Sequence, residues 1–186
     1  ELQQQIYRND VSSLASRPGD LEDLVSFWKR NGRLSHRLEL VQANIQRKLE
    51  ERDPDRAGQD PLSAEKALRG SQRLASAISL TRQTRIFVPD SSGGSMGLKV
   101  QDVLTDWTAS ECSALLSRPI FDPETYGFVR FHHRDTLELL AAGWFAELLK
   151  EGNSRQSVEG LFFANQYGIN VVVPRLRAIL PWLALF

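Results

Sequence analysis

The chain has 186 residues, 41% of them hydrophobic and 25% charged, enough apolar material for one or two packed domains and too much for a disordered chain. Its 23 Lys plus Arg balance 23 Asp plus Glu, which excludes a whole-chain field that would draw it to nucleic acid or acidic lipid. The lone cysteine, Cys112, excludes an internal disulfide or a cysteine-rich zinc site. No run of about 18 apolar residues offers a membrane span, and no signal-peptide pattern opens the chain, so the cytoplasm is the expected compartment.

The sequence starts at Glu1 and stops on the apolar LPWLALF, and it is read as a segment of a longer protein. A first helix is expected around Ile6, Val11 and Leu14. In RPGDLEDLVSFWKRNGRL, residues Leu21, Leu24, Val25 and Trp28 recur at the spacing of one helix face. Pro18 and Asp20 suit its first turn, and Asn31-Gly32 its end. A third helix is expected over Ser35 to Glu51, with Leu38, Val41, Ile45 and Leu49 inward.

Residues 52–62 form a polar connection with two prolines. Ser63 then caps a helix that turns Ala67, Ser71, Leu74, Ala75 and Ile78 to one side. RIFVP is a short β-rich run, DSSGGSMG a loop, and TASECSALLSRP a helix capped by Thr108 and stopped before Pro119. YGFVRF is a second β-rich run, and the helical DTLELLAAGWFAELLK follows at once. After Gly152 the pattern predicts a helix around Gln156 to Asn165, the apolar strip INVVVP and a last helix from Arg175.

These elements predict a mainly α chain. A helical domain over 1–83 precedes a winged-helix-like domain with two or three short strands over 84–152, and a further helical region starts over 153–186. Trp28, Trp107, Trp144, Trp182, Phe162 and Phe163 fall at apolar-face positions and are expected in the core.

The junction FHHRDTLELLAAGWF, residues 131–145, concentrates the candidate chemistry. HRD is the start of a kinase catalytic loop, but that loop needs an Asn five residues after the Asp, and Leu140 stands there. Metal binding by His132 and His133 is disfavoured because neighbours along an extended strand point to opposite faces. A strand that ends at His133 and runs into a helix sets an imidazole beside unbonded N–H groups and the positive end of the helix dipole, a place for a phosphate. The plainer reading is that His133 caps or packs. Glu138 lies on the apolar side of the helical wheel, with Ala142, Phe145 and Leu149, and an inward carboxylate needs a partner. Asp135 as N-cap with Glu138 as the returning residue of a capping box is one solution, and Arg134 four residues earlier is another.

Residues 131–142, FHHRDTLELLAA, resemble the winged-helix signature of NACHT-type signal-transduction NTPases (the STAND group). These include bacterial defence ATPases and animal nucleotide-binding immune receptors. The signature is Phe, any residue, His, Glu five steps on, an apolar pair and Ala-Ala; Phe131, His133, Glu138, Ala141 and Ala142 match it. The resemblance selects His133 over His132 and implies that His133 touches the β-phosphate of bound ADP. SRPGDLEDLVSFW resembles the start of the family's first helical domain, which implies that Pro18 packs near the adenine. The Walker A and Walker B motifs, N-terminal to this region in the family, are not in the sequence, and Leu137 stands where the family usually carries Gln or a similar polar residue.

The resemblance therefore implies the regulatory half of an ATP-driven switch in bacterial signalling or anti-phage defence. It would not be catalytic alone, and its full-length parent would be a slow ATPase using ADP or ATP with magnesium. Implied partners are the upstream nucleotide-binding core of the same chain, a ligand protein met through a C-terminal sensor, and further copies on activation; membrane and nucleic acid are not expected. The alternative is a non-catalytic helical interaction module that binds protein or, as the weaker branch, DNA. Over 134–151, Arg134 and Lys150 face four carboxylates, whereas a DNA-recognition helix is basic.

Overall fold

The computed structural model describes residues 2–9, 11–15, 18–50, 62–88, 97–151 and 155–186, with the side chains of 13, 14 and 18–20 outside the description. Most of the expected loop DSSGGSMG and of the connection 52–62 lies outside the described residues. The chain divides into two compact units, Glu1–Lys48 and Leu49–Phe186.

The first unit holds α1 (Leu2–Arg8), a 3-10 turn (Ser12–Ala15), α2 (Pro18–Asn31) and α3 (Arg37–Leu49). Proline opens α2, where the first turn has no use for its missing N–H. The helix ends because Gly32 takes φ 66° and its N–H returns to the Trp28 carbonyl at 2.8 Å, the left-handed stop that favours glycine. Val11, Leu24, Phe27, Leu34 and Leu40 make the core. The buried face of α2 is thus rotated from the expected one. Phe27 is inside, whereas Leu21 is 40% exposed, because the large ring, three residues on from Leu24, fills the core. Arg47 of α3 pairs with Asp23 of α2, and Gln5 Oε1 accepts from the Leu34 N–H at 2.6 Å.

The second unit is built on α4 (Ala64–Thr81) and α7 (Arg134–Lys150), which share the most extensive helix contact in the chain. Ser63 caps α4 through the Lys66 N–H at 3.1 Å, and Ala67, Ser71, Leu74, Ala75 and Ile78 are buried as the spacing predicts. Between the two helices come β1 (Ile86–Phe87), β2 (Leu98–Lys99), α5 (Val100–Val103), α6 (Ala109–Leu116), β3 (Phe121–Glu124) and β4 (Phe128–Phe131). The sheet order is β2-β1-β4-β3, with β1 parallel to β2 and antiparallel to β4. A helix, a strand, two helices and a hairpin that returns to the first strand make a winged-helix-like unit, and the fold is mainly α as expected. α4 packs within this unit, whereas the sequence layout grouped it with the first three helices. Thr108 and Glu111 form a reciprocal capping box at the start of α6.

Two glycines set the packing. A Cβ on Gly70 of α4 would lie 2.5 Å from Trp107 Cη2, so only glycine lets the indole lie on the helix. On Gly143 of α7, a Cβ would meet Gln72 Nε2 at 2.7 Å and Phe186 Cζ at 3.5 Å. Gly143 is buried, since α7 is covered on most of its surface in the middle.

The region after Gly152 departs from expectation. The helix there, α8 (Arg155–Phe162), stops at Phe162, and β5 (Phe163–Gln166) and β6 (Ile169–Val172) form a hairpin instead of continued helix. Its two-residue turn has Tyr167 at φ 54° and Gly168 at φ 81°, the paired left-handed conformation that matches strand twist. Phe163 is 38% exposed on this hairpin, not in the core. A 3-10 turn (Pro174–Leu176) and α9 (Leu180–Leu183) return the chain to α7.

The close approach at Gly70 is testable. Gly70→Ala should lower stability by about 1–2 kcal/mol, because the clash with Trp107 outweighs the helix propensity gained. In a Trp107→Ala background the same change should cost less, because only the contact with Leu115 Cδ2 at 3.0 Å remains. Urea unfolding of the four proteins decides it.

Candidate functional site

The site forms where β4 hands over to α7. His133 keeps extended backbone angles (φ −128°, ψ 144°) and is the N-cap of the helix, its carbonyl accepting from the Leu137 N–H at 3.1 Å. Its imidazole makes no capping bond to the first turn. α7 therefore begins at Arg134, two residues earlier than an N-cap at Asp135 requires. The expected Asp135–Glu138 capping box is corrected on this point. Asp135 lies inside the first turn, and Glu138 sits more than a turn in, out of reach of the N-cap N–H.

Glu138 instead takes the alternative partner and adds a second. Its side chain is 12% exposed; Oε1 accepts from Arg134 Nε at 2.6 Å, and Oε2 accepts from the indole N–H of Trp182 at 3.3 Å. A buried carboxylate is tolerable only with such donors. Trp182 is itself buried on α9, so one carboxylate joins the start of α7 to the last helix of the chain.

His132 is held from two sides. Its backbone N–H donates to the Ile120 carbonyl at 3.0 Å, and its Nδ1 lies 2.6 Å from Asp122 Oδ1 on β3. The two histidine rings meet edge to face with centroids 4.4 Å apart. They do not diverge as strand neighbours would, because β4 ends at Phe131 and both residues lie beyond it. Among the described residues no group of three or more His, Cys, Asp or Glu is arranged to hold a metal ion.

The junction carries groups able to donate to an anion. The first N–H groups of a 17-residue helix lack intrahelical acceptors and carry the positive end of its dipole. His133 stands at that end, and the Arg134 side chain beside it is 82% exposed. Asp135, in the same turn, brings a charge of the wrong sign for an anion. The adenine-side candidate, Pro18, opens α2 in the first unit; its side chain lies outside the described residues. His133 and Glu138 are brought onto one helix start, and Pro18 belongs to the other compact unit.

Several polar residues escaped the sequence reading. Trp182 was expected only as core, although a buried indole N–H seeks an acceptor and a buried carboxylate seeks a donor, so the pair could have been matched. Nothing in the local pattern flags Asp122 as the partner of His132, or Arg118, a cation only 2% exposed in the turn between α6 and β3.

A cleft of about 290 Å³ beside α4, lined by Lys66, Arg69, Arg73, Asp106 and Trp107 among others, is dominated by compensated charge. Lys66 pairs with Glu111 and lies 4.9 Å over the Trp107 ring. Arg73 donates to Asp106 and to the Val103 carbonyl, both at 2.6 Å. The Arg73 guanidinium holds the Asp106 carboxyl below its ordinary range, and the Lys66 ammonium does the same for Glu111. Burial, with the Glu111 charge adding, pushes the Cys112 thiol up, which keeps it protonated and unreactive.

No helix among the described residues is long and apolar enough to cross a membrane. Comparison with family models, curated protein sequences and solved structures finds no match.

Two outcomes follow from these geometries. Glu138→Ala should cost about 1–3 kcal/mol in urea unfolding, since it leaves the buried Trp182 N–H without its acceptor. For Asp106 the folded value is lowered, so its contribution is present above the ordinary carboxylate range and is lost as pH falls through the lowered value. Asp106→Asn should therefore lower stability at neutral pH by only about a few tenths of a kcal/mol, the pair being exposed. The difference should vanish in acid; a difference that persists there contradicts the assignment.

Proposed function

We propose that this chain is the regulatory helical and winged-helix part of a NACHT-type nucleotide switch of bacterial signalling or anti-phage defence, acting on ADP or ATP held by an upstream core. The observation that carries this reading is His133. The residue matching the family's phosphate-sensing histidine is the N-cap of α7, at the end of the winged-helix hairpin, and its ring is not used to cap the helix. A phosphate there would accept from the imidazole and from first-turn N–H groups. Loss of the γ-phosphate or exchange of nucleotide would change what holds the winged helix, the general device by which such switches move.

The alternative, a non-catalytic interaction module, draws support from the β5–β6 hairpin. Its Phe163 to Val172 carries no charge, and Ile169 is 69% exposed, features that suit a protein partner. DNA binding is weaker still. In a winged helix the second helix of the pair reads DNA, and here that helix is α6, ASECSALL, with one carboxylate and no cation.

The test uses the full-length gene product. It should carry a Walker A loop upstream and retain ADP on purification. His133→Ala should weaken ADP by about 1–3 kcal/mol, the value of a hydrogen bond to a charged group, or raise basal activity without a trigger. Unchanged ADP retention together with unchanged basal activity would remove this reading and leave the interaction module.

A further inference from the structure

Arg134 is the side chain the family pattern does not use, and its surroundings are unusual for a surface arginine. Its Nε donates to Glu138 Oε1 at 2.6 Å, while 82% of the side chain stays exposed. No hydrogen bond of Nη1 or Nη2 accompanies that contact among the described residues. A guanidinium gripped through Nε keeps its two terminal nitrogens available as a planar fork, the shape that matches phosphate oxygens. The grip is firm because the carboxylate is buried and its other oxygen accepts from Trp182. Ordinary i, i+4 pairs on a helix surface have neither property.

We propose that Arg134 is a second contact for the nucleotide phosphate beside His133, and that Glu138 and Trp182 are the residues that position it. This rests on the nucleotide-switch reading given above. The positioning chain runs from α9 to the phosphate: the Trp182 indole fixes Glu138, Glu138 fixes Arg134, and Arg134 meets the anion. How well the C-terminal segment is seated on α7 then sets how tightly ADP is held. By reciprocity, bound ADP favours the seated form of that segment.

The experiment takes the full-length protein, with ADP as the probe, and measures ADP affinity by calorimetry and the ADP-induced rise in melting temperature. Arg134→Gln should weaken ADP about tenfold and also lower the melting temperature of the nucleotide-free protein, because buried Glu138 loses its countercharge; the affinity is therefore read on folded protein by calorimetry. Arg134→Lys should recover little of it, since a single ammonium cannot form the fork. Trp182→Phe, which keeps the ring and removes the N–H, should weaken ADP about two- to threefold, because the hydrogen bond lost acts on the phosphate only through Glu138 and Arg134. It should have no further effect in the Arg134→Gln background, where nothing is left to position. If Trp182→Phe fails to fold, Glu138→Gln serves in the same cycle. Equal losses in both backgrounds mean general loosening and overturn the positioning chain. A wild-type affinity for Arg134→Gln alongside a weakened His133→Ala overturns this proposal and leaves the switch reading intact. Wild-type affinity for both variants overturns this proposal, and together with unchanged basal activity in His133→Ala it removes the switch reading as well.

Discussion

A carboxylate buried in a helix is an unstable arrangement unless its charge is met, and Glu138 is met from two directions. Arg134 comes from its own helix one turn back, and Trp182 comes from the end of the chain. The first bond depends on helical geometry alone, whereas the second requires α9 to be in place. The second unit thus has a polar joint at its centre whose two halves differ in cost. Losing Arg134 leaves a buried carboxylate without its countercharge, the costlier break, whereas losing Trp182 opens one buried hydrogen bond. Apolar packing around it, with Gly143 admitting Gln72 and Phe186, gives α7 contacts on most sides and makes it the axis of the unit.

The winged-helix arrangement fixes where that joint lies. β4 delivers the chain to α7 at a fixed point because its register with β3 is set residue by residue, Phe121 opposite Phe131 and Glu124 opposite Phe128. Asp122 sits in the same strand and reaches His132. The two imidazoles therefore inherit their position from the sheet, while Arg134 and Glu138 inherit theirs from the helix. A cluster assembled from a strand end and a helix start has little freedom.

Sequence reasoning reached the helices well. The periodic face of α4 and the caps Ser63 and Thr108 depend on local spacing and side-chain chemistry, and local patterns carry that information. It failed where the deciding contact was remote. The start of α7 was displaced because Asp135 is a good N-cap by type, yet the backbone leaving β4 turns helical at Arg134. The C-terminal hairpin was missed because FANQYGINVV reads equally as a helix end and an apolar strip, and only the positive φ of Tyr167 and Gly168 resolves it. In the candidate site the inward face of Glu138 was legible from the wheel and Arg134 from its spacing; the Trp182 partner lies 44 residues away, and no periodicity reaches that far.

The pairing of α4 with α7 bears on the order in which the chain can fold. Everything from 82 to 133 separates the two helices, so the apolar stripe of Ala67, Leu74 and Ile78 stays without its main cover until the winged-helix strands have formed and α7 has followed. Contacts between distant segments close slowly, because loop entropy is spent before the packing is gained. The first unit, whose three helices are neighbours in sequence, has no such delay. During synthesis it can be complete while α4 is still waiting, and α4 is then the segment most exposed to wrong partners.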